Sequence, residues 1–374
     1  MAMFSDHQRK LLKRLLRELL NQHKAEILIP AEKPESGFWF GGGKLAMDQN
    51  GTIWLSGRYR NAGDSRTGLE AGVRGAECAV FCSDDGGRHF DKVRSWRKAE
   101  LSVGNQEVIS IEGTALHQMA DGRWELFVSS ERNIGYPDVV KNYQKPGTGV
   151  WRIDRMVGDS PAMLEVQSLE KVLENSEHPE YLHIKDPVAY DDLDGNTILI
   201  YCSHPFSWSS DNSGYALRQS NREDFSIQSW EMVPRGATWD VAVTRITSRL
   251  VVPSLGVFAD SEPVAVYFYD GAECMRNHQE NMRALKRPRG YSCEEIGGAF
   301  VGWARAFPEM ERLSKLEPLF TSPWGSGASR YVDCLVKHEG ILAIWQQSQK
   351  DGSQPLVRHF LPMDVVERIL SGKL

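Results

Sequence analysis

The chain has 374 residues, of which 41% are hydrophobic and 25% are charged. This composition predicts a globular protein with a large core and excludes a disordered or collagen-like chain. The net charge of −6 provides no basic footprint for nucleic acid. No apolar stretch reaches the roughly 18 residues of a membrane-spanning helix, and the N-terminus has no signal-peptide hydrophobic region, which predicts a cytoplasmic protein.

The six cysteines are scattered through apolar runs and show no CxxC spacing. This pattern favours buried free thiols over zinc ligands. We therefore expect no metal and no cofactor.

The first predicted element is an amphipathic helix over residues 5–24. Ser5 and Gln8 form a capping-box pattern. One face carries an apolar stripe made of Leu11, Leu12, Leu15, Leu16, Leu19 and Leu20. The opposite face is basic, which allows contact with a membrane surface, but we favour packing on the main domain or against a second copy in a homo-oligomer. We assign residues 1–30 to this helix and a linker, and residues 31–374 to one further domain.

Beyond Pro30 the pattern changes to short β-rich runs broken by Gly, Asp and Asn. Five segments repeat the order strand, polar residue with glycine, strand, in which the glycine permits a tight hairpin. These glycines lie 69 to 76 residues apart and are Gly51, Gly122, Gly195, Gly271 and Gly340. A near-constant period predicts an all-β fold, a five-bladed β-propeller, with six blades as the alternative.

The fourth repeat allows two registers. In the first, Gly271 is the hairpin turn and the inner strand starts at Glu262. In the second, residues 238–256 form the inner hairpin and residues 262–271 form the third strand, so that Asp240 takes the place of Glu262.

The innermost strands of a propeller line its central axis, so residues at one height converge on one opening, which we call the mouth. Nine or ten residues before the turn glycines lie Gly41, Glu112, Asp186, Glu262 and Arg330, with Tyr331 beside the last. Converging carboxyls suit hydrolysis of a glycosidic bond, because one protonates the leaving oxygen and another activates water or attacks the sugar. Each acid could equally cap a loop or pair with an arginine.

The second strands end at the same face and carry polar residues that suit sugar hydroxyls. Arginines there also suit a carboxylate on the substrate. The predicted substrate-binding residues are Arg58, Arg60, Asp64, Arg132, His204, Arg330 and Gln346. A carbohydrate is therefore the expected partner, with no nucleic acid and no membrane.

Residues 184–204, IKDPVAYDDLDGNTILIYCSH, resemble the inner hairpin of five-bladed propeller glycosidases, such as glycoside hydrolase families 43, 32, 117 and 130. The resemblance implies a glycosidase in which Asp186, opening an Asp-Pro pair, belongs to the catalytic centre. Residues 110–131 are similar to a pattern in which a glutamate is the general acid, which implies that role for Glu112. The first blade departs from these families because it has FGGGKLAMD where many carry a catalytic aspartate. Asp240 or Asp64 could substitute.

Residues 83–90, SDDGGRHF, fit S-x-D-x-G-x-x-F, the Asp box of sialidases. That second resemblance implies a sialidase-like exo-glycosidase with Glu262 and Arg276 in its site and Tyr331 as nucleophile, on a six-bladed fold. We expect the octet itself to be a structural turn, far from the mouth, in which Asp85 binds backbone amides.

Two further classes remain open. A non-catalytic glycan-binding propeller would pair its axial carboxyls fully with arginines and leave no pocket. A uronate polysaccharide lyase would use Tyr331 or His204 as base and Arg330 to neutralise the uronate.

Overall fold

The computed structural model describes residues 3–61, 75–103, 106–274 and 294–374. Its strands form five antiparallel sheets arranged as the five-bladed β-propeller that the repeat predicts. None of the helices in the described ranges has the length and apolarity needed to span a bilayer.

The elements follow the chain from helix to propeller. The N-terminal segment contributes α1 (Asp6–Leu19) and β1 (Glu26–Ile29). Blade 1 consists of β2 (Trp39–Gly41), β3 (Leu45–Met47), β4 (Ile53–Arg60), β5 (Glu77–Ser83) and β6 (Asp91–Arg97). Blade 2 consists of β7 (Val108–Gln118), β8 (Trp124–Arg132), β9 (Val150–Gly158) and β10 (Glu165–Leu173).

Blade 3 consists of β11 (His183–Asp191), β12 (Thr197–His204), β13 (Asn212–Arg218) and β14 (Ser226–Ser229). Blade 4 consists of β15 (Val243–Val251), β16 (Val264–Ala272), β17 (Ile296–Trp303) and β18 (Glu311–Arg312). Blade 5 consists of β19 (Ser329–Lys337), β20 (Gly340–Gln347) and β21 (Leu356–Pro362), and the chain ends with α2 (Met363–Leu370).

The N-terminal segment closes the ring. Strand β1 pairs antiparallel with β21, with Glu26 opposite Arg358, and so becomes the outer strand of blade 5. Residues Glu26–Ile29, which the sequence analysis placed in a linker, therefore belong to the propeller. A ring closed by strands from both ends of the chain leaves blade 5 with no missing strand.

Helix α1 packs on the propeller. Its capping box is present, because the Gln8 amide donates to Ser5 Oγ at 3.2 Å and the Ser5 amide donates to Gln8 Oε1 at 2.9 Å. All six leucines of the stripe are buried, and all of them except Leu11 belong to one core cluster with residues of blades 4 and 5 and of α2. The prediction of packing on the main domain is confirmed, and the alternative of a homo-oligomer through this stripe is not supported because the chain itself covers the stripe.

The repeat holds in four blades, and both predicted registers for blade 4 are wrong. Gly51, Gly122 and Gly195 lie in the turns after inner strands, with φ of +80° to +89°. Gly271 instead lies within β16, opposite Thr244 of β15, so residues 262–271 run into the second strand. A Cβ atom at position 271 would lie 2.5 Å from the Trp239 ring, so glycine is needed here because the ring packs against it and not because the chain turns.

The structure gives the state of five cysteines and the position of the acidic octet. Cys78, Cys82, Cys202 and Cys334 are free thiols, whereas Cys274 is disulfide-bonded, which corrects the expectation of free thiols at that position. The octet SDDGGRHF connects β5 to β6 at the face opposite the mouth. There Asp85 Oδ1 accepts from the amides of Arg88 at 2.9 Å and His89 at 3.0 Å.

Candidate active site at the propeller mouth

The inner strands of blades 2 to 5 are bulged at one height. Two residues face a single partner at 112–113, 186–187 and 331–332, and blade 4 has one extra residue at Thr247. In blade 1 the inner strand breaks at the same level, between β2 and β3. A bulge bends the strand and re-aims its side chains, so these four bulges turn side chains toward the axis.

Two of these bulged residues are held in a conformation that favours glycine. Asp186 has a φ of +55° and Tyr331 a φ of +53°. Such a backbone costs about 1–3 kcal/mol for each residue and persists only where the surroundings hold it. The amide of Asp186 donates to Ser129 Oγ at 2.7 Å, and that of Tyr331 donates to Asp270 Oδ1 at 3.1 Å. In both cases the second strand of the preceding blade holds the bulge.

Glu112 is buried against two arginines. Arg58 Nη2 donates to its Oε2 at 2.6 Å and Arg60 Nη1 donates to its Oε1 at 3.1 Å. Burial opposes ionisation, but the charges of Arg58, Arg60 and Lys185 outweigh it and hold the pKa of Glu112 well below its usual range. Glu112 is therefore a carboxylate at neutral pH.

Asp186 lies next to this group. Its Oδ1 accepts from the Gly113 amide at 3.0 Å, which places the carboxyl directly beside the residue that follows Glu112. Its Oδ2 lies 3.2 Å from Arg245 Nη1 and 3.8 Å from Lys185 Nζ. The structure thus brings together the two acids to which the sequence analysis gave most weight.

Arg245, which the sequence analysis missed, joins three carboxyls. This fully buried side chain contacts Asp186, donates to Asp270 Oδ2 at 2.8 Å and lies 3.0 Å from Glu295 Oε1. Glu295 also pairs with Arg330. In the observed register of blade 4, Arg245 is the third residue of the inner strand β15. Its position near the start of an inner strand is the feature by which the sequence could have indicated it.

The pKa values of these carboxyls separate. Burial raises the pKa of Asp270 to about 6 even though Arg245 opposes it, and the charge of Glu295 adds to the rise. For Glu295 burial acts in the same direction, but Arg245 and Arg330 prevail and its pKa falls well below the usual range. The cluster therefore contains one carboxyl that retains a proton at mildly acidic pH beside others that do not.

Tyr331 lies at the meeting point of these charges. Its ring centroid is 4.3 Å from the Arg245 guanidinium and 5.5 Å from those of Arg58 and Arg330. Burial and the charges of Asp186 and Glu112 raise the pKa of its hydroxyl well above the usual value, against the effect of Arg245. Within the described ranges, Arg58 Nη1 and Arg245 Nε have no hydrogen-bond partner.

Trp39 adds an aromatic ring to the mouth. The guanidinium groups of Arg60 and Arg330 each lie 4.5 Å from the ring centroid of Trp39, a residue that the sequence analysis missed. A cavity of about 900 Å³ lies between blades 1 and 2 on the same face as the mouth, but none of the charged residues described above lines it. Its walls include Tyr59 and Glu107.

Other predicted binding residues are committed to structural contacts. Arg132 is buried and donates to Asp154 Oδ2 at 2.6 Å and to the Leu101 carbonyl at 2.8 Å. His204 is buried, with Nδ1 3.0 Å from the Ser210 carbonyl. Gln346 lies at the mouth, where its amide oxygen accepts from Arg330 Nε at 3.1 Å.

The two acids proposed for blade 4 lie elsewhere. Asp240 is buried against Arg312 of the outer strand β18 and accepts from the Tyr269 hydroxyl at 2.6 Å. Glu262 is exposed on the connection between β15 and β16, at the face opposite the mouth. Both placements follow from the true register of blade 4, which takes residues 240 and 262 off the axis. Asp64 and Arg276 lie outside the described residues.

Comparison with known proteins is consistent with this architecture. No protein-family model and no curated protein matches the chain. Among solved structures, a glycoside hydrolase matches with a TM-score of 0.61 and 10% identity, over 96% of this chain and 95% of its own. CoXyl43, a GH43 β-xylosidase/α-arabinofuranosidase from a compost microbial metagenome, matches with a TM-score of 0.53 and 10% identity, over 90% of this chain and 95% of its own. An α-L-arabinofuranosidase from Lactobacillus brevis matches with a TM-score of 0.52 and 10% identity, over 88% of this chain and 92% of its own.

These likenesses establish a shared fold. The chain has the five-bladed propeller found in these glycoside hydrolases, as the resemblance of its third blade implied. The six-bladed fold implied by the sialidase resemblance is not observed, since the described strands make five blades.

Proposed function

We propose that the protein is a glycoside hydrolase whose site is the mouth, with Glu112 and Asp186 as its working carboxyls. One observation carries the proposal: Asp186 and Tyr331, both in a conformation that favours glycine, converge with Glu112 on the axis. Backbone strain of this kind clusters at functional sites. The glycoside hydrolases that share the fold add support, although fold alone does not define an activity.

The charges assign the roles. Glu112 enters the reaction ionised because two arginines stabilise it, and this is the state that a base or nucleophile requires. Hydrolysis also needs a proton donor, and Asp186 is the second acid that the bulged inner strands bring to the mouth beside Glu112. Because Glu112 takes the role of base or nucleophile, we propose proton donation for Asp186, which reverses the role that the resemblance implied for Glu112.

The substrate that fits this charge distribution is an acidic sugar. Five cationic side chains meet at the mouth, namely Arg58, Arg60, Lys185, Arg245 and Arg330. The unpartnered N–H groups of Arg58 and Arg245 flank the Tyr331 ring and are suited to the oxygens of a substrate carboxylate. A sugar carboxylate is the ligand we propose for these two groups.

A screen of aryl glycosides tests the proposal, with uronides and sialosides set against neutral xylosides and arabinofuranosides. We expect an acidic glycoside to be cleaved, and Glu112→Gln and Asp186→Asn to lower kcat/KM by roughly 10²–10⁴-fold. Glu223→Gln, at an exposed position, is the matched control and should retain full activity. Full activity in both mouth variants would remove Glu112 and Asp186 from the mechanism.

A non-catalytic glycan-binding propeller is the second candidate. The observation that favours it is the pairing of Glu112, Asp186 and Glu295 with arginines. It predicts binding of an acidic sugar without turnover, which calorimetry on the same panel would reveal. A tyrosine nucleophile and a lyase with Tyr331 as base gain no such support, because the raised pKa of the Tyr331 hydroxyl suits neither role.

A further inference from the structure

Three metal-ligating side chains of different types meet in blade 3, outside the carboxyl pair of the mouth. Cys202 and His204 stand two residues apart on β12 and therefore share one face of the strand. Asp211 reaches the same point from the end of the connection to β13. The Cys202 Sγ, His204 Nε2 and an Asp211 carboxylate oxygen all lie within 4.8 Å of one another, and all three residues are buried.

The spacing of these atoms fits the edges of a coordination shell. Sγ is 3.4 Å from Nε2, and Nε2 is 3.7 Å from Asp211 Oδ2. With zinc–sulfur bonds of about 2.3 Å and zinc–nitrogen or zinc–oxygen bonds of about 2.0 Å, the edges of a tetrahedral shell measure about 3.3–3.5 Å. A single ion between the three atoms would bind them all after small shifts.

Two observations show that the group lacks a partner. Within the described ranges, neither carboxylate oxygen of Asp211 has a hydrogen-bond partner outside this group, although the side chain is fully buried. The nearest guanidinium nitrogen, Arg245 Nη1, is 4.0 Å from Asp211 Oδ2 and also serves Asp186. A buried carboxylate without a partner is costly, and a divalent cation would balance it together with a Cys202 thiolate.

The surroundings orient the histidine as a ligand. His204 Nδ1 lies 3.0 Å from the Ser210 carbonyl, so the proton belongs on Nδ1 and the lone pair on Nε2 points to the other two groups. The Trp208 ring packs 4.5 Å from the His204 ring. Trp208 has a φ of +53°, so the connection that carries it is tightly constrained.

We propose that Cys202, His204 and Asp211 form a binding site for one thiophilic divalent cation, with Zn²⁺ as the best fit. The thiolate and imidazole ligands select zinc over magnesium or calcium, which prefer oxygen. Three protein ligands leave a fourth position for water. The ion ties β12 to the start of β13, and the Asp211 carbonyl in turn accepts from the Thr244 amide at 3.3 Å, one residue before Arg245. This site goes beyond the proposed function and does not depend on it.

The expectation of no metal rested on the absence of CxxC pairs, and the proposed site has a different pattern. A Cys-x-His pair on a strand places both side chains on one face, and the third ligand lies seven residues beyond His204. Only the connection between the strands brings Asp211 into reach.

Metal content and cobalt spectroscopy test the site without any activity assay. The purified full chain, stripped by a chelator, is titrated with Zn²⁺, and Co²⁺ is substituted for its spectrum. We expect one bound equivalent, a thiolate-to-cobalt charge-transfer band in the near ultraviolet and visible bands of tetrahedral cobalt. Cys202→Ser should lose the charge-transfer band and bind at least ~10-fold more weakly.

Two more variants keep the test decisive. Asp211→Asn should bind at least ~10-fold more weakly while it retains the thiolate band, and Cys82→Ser, at a free thiol outside the group, should match the parent chain. Circular dichroism checks that each variant folds. If Cys202→Ser does not fold, the parent spectrum and Asp211→Asn decide. Substoichiometric metal, a cobalt spectrum without a thiolate band, or full affinity in Asp211→Asn would overturn the proposal.

Discussion

A buried histidine at the junction of blades 2 and 3 predicts a pH dependence of stability that can be isolated by one substitution. His117 Nδ1 lies 2.8 Å from Glu125 Oε1, and its Nε2 lies 3.1 Å from Asp191 Oδ1. Both ring nitrogens face carboxylates, so the imidazolium is the favoured form. Burial lowers the pKa of His117, but hydrogen bonds to Asp191 and Glu125 prevail and raise it from 6.5 to about 9.

The magnitude follows from this rise. A pKa that is raised on folding stabilises the folded state fully below the unfolded value, and the contribution disappears as pH rises through the folded value. Each pKa unit is worth 1.36 kcal/mol, so the shift of His117 corresponds to about 3 kcal/mol. The low pKa of Glu125 describes the same contacts and is not added.

Urea unfolding of the parent chain and of His117→Asn between pH 6 and pH 9.5 measures this contribution. We expect the parent's advantage in free energy of unfolding to be largest at pH 6 and to shrink by about 3 kcal/mol by pH 9.5. His338→Asn, at an exposed histidine, controls for the loss of an imidazole. An advantage that stays constant across this range would refute the buried imidazolium.

Two further substitutions test the fold. Gly271→Ala should destabilise the protein by about 1–3 kcal/mol, because the new methyl group meets the Trp239 ring. The control Gly135→Ala, at an exposed position, should change the free energy of unfolding by less than about 0.5 kcal/mol. Chemical denaturation compares the two variants, and equal effects would contradict the assigned register. Leu16→Ala should lower the free energy of unfolding by about 2–5 kcal/mol and leave the oligomeric state unchanged, whereas Leu316→Ala, at an exposed position, should have little effect on stability. A Leu16 variant that only dissociates an oligomer would show that the stripe is an interface.

The fold could be predicted because most blades carry a recognisable turn sequence after the inner strand. In blades 1, 2 and 3 the turn after the inner strand pairs an acidic residue with a glycine of positive φ, and Asp48 and Asp192 accept amides within those turns. Local chemistry of that kind is visible in the sequence. The prediction fails in blade 4, where the Asp270-Gly271 pair looks like such a turn but the glycine accommodates the Trp239 ring.

The site could be predicted only in part. Glu112 and Asp186 were located because both open inner strands at a fixed distance from a turn glycine. Arg245, Asp270 and Glu295 come from blade 4, where the predicted register was wrong. Arg245 lies directly opposite Asp270 in the pairing of β15 with β16, and it joins the rest of the site through its contact with Asp186 of blade 3. The roles of the carboxyls could not be derived from spacing, since ion pairing and burial set their pKa values.

The most direct test of the central claim is mass analysis of the products that the parent chain forms from an acidic oligosaccharide. Hydrolysis at the mouth predicts two fragments whose masses together equal the substrate plus one water, and their absence with Glu112→Gln and with Asp186→Asn. Fragments that sum to the substrate alone would indicate elimination, and intact substrate that is nevertheless bound would indicate a glycan-binding propeller. Either result would contradict the account of the mouth as a hydrolytic site.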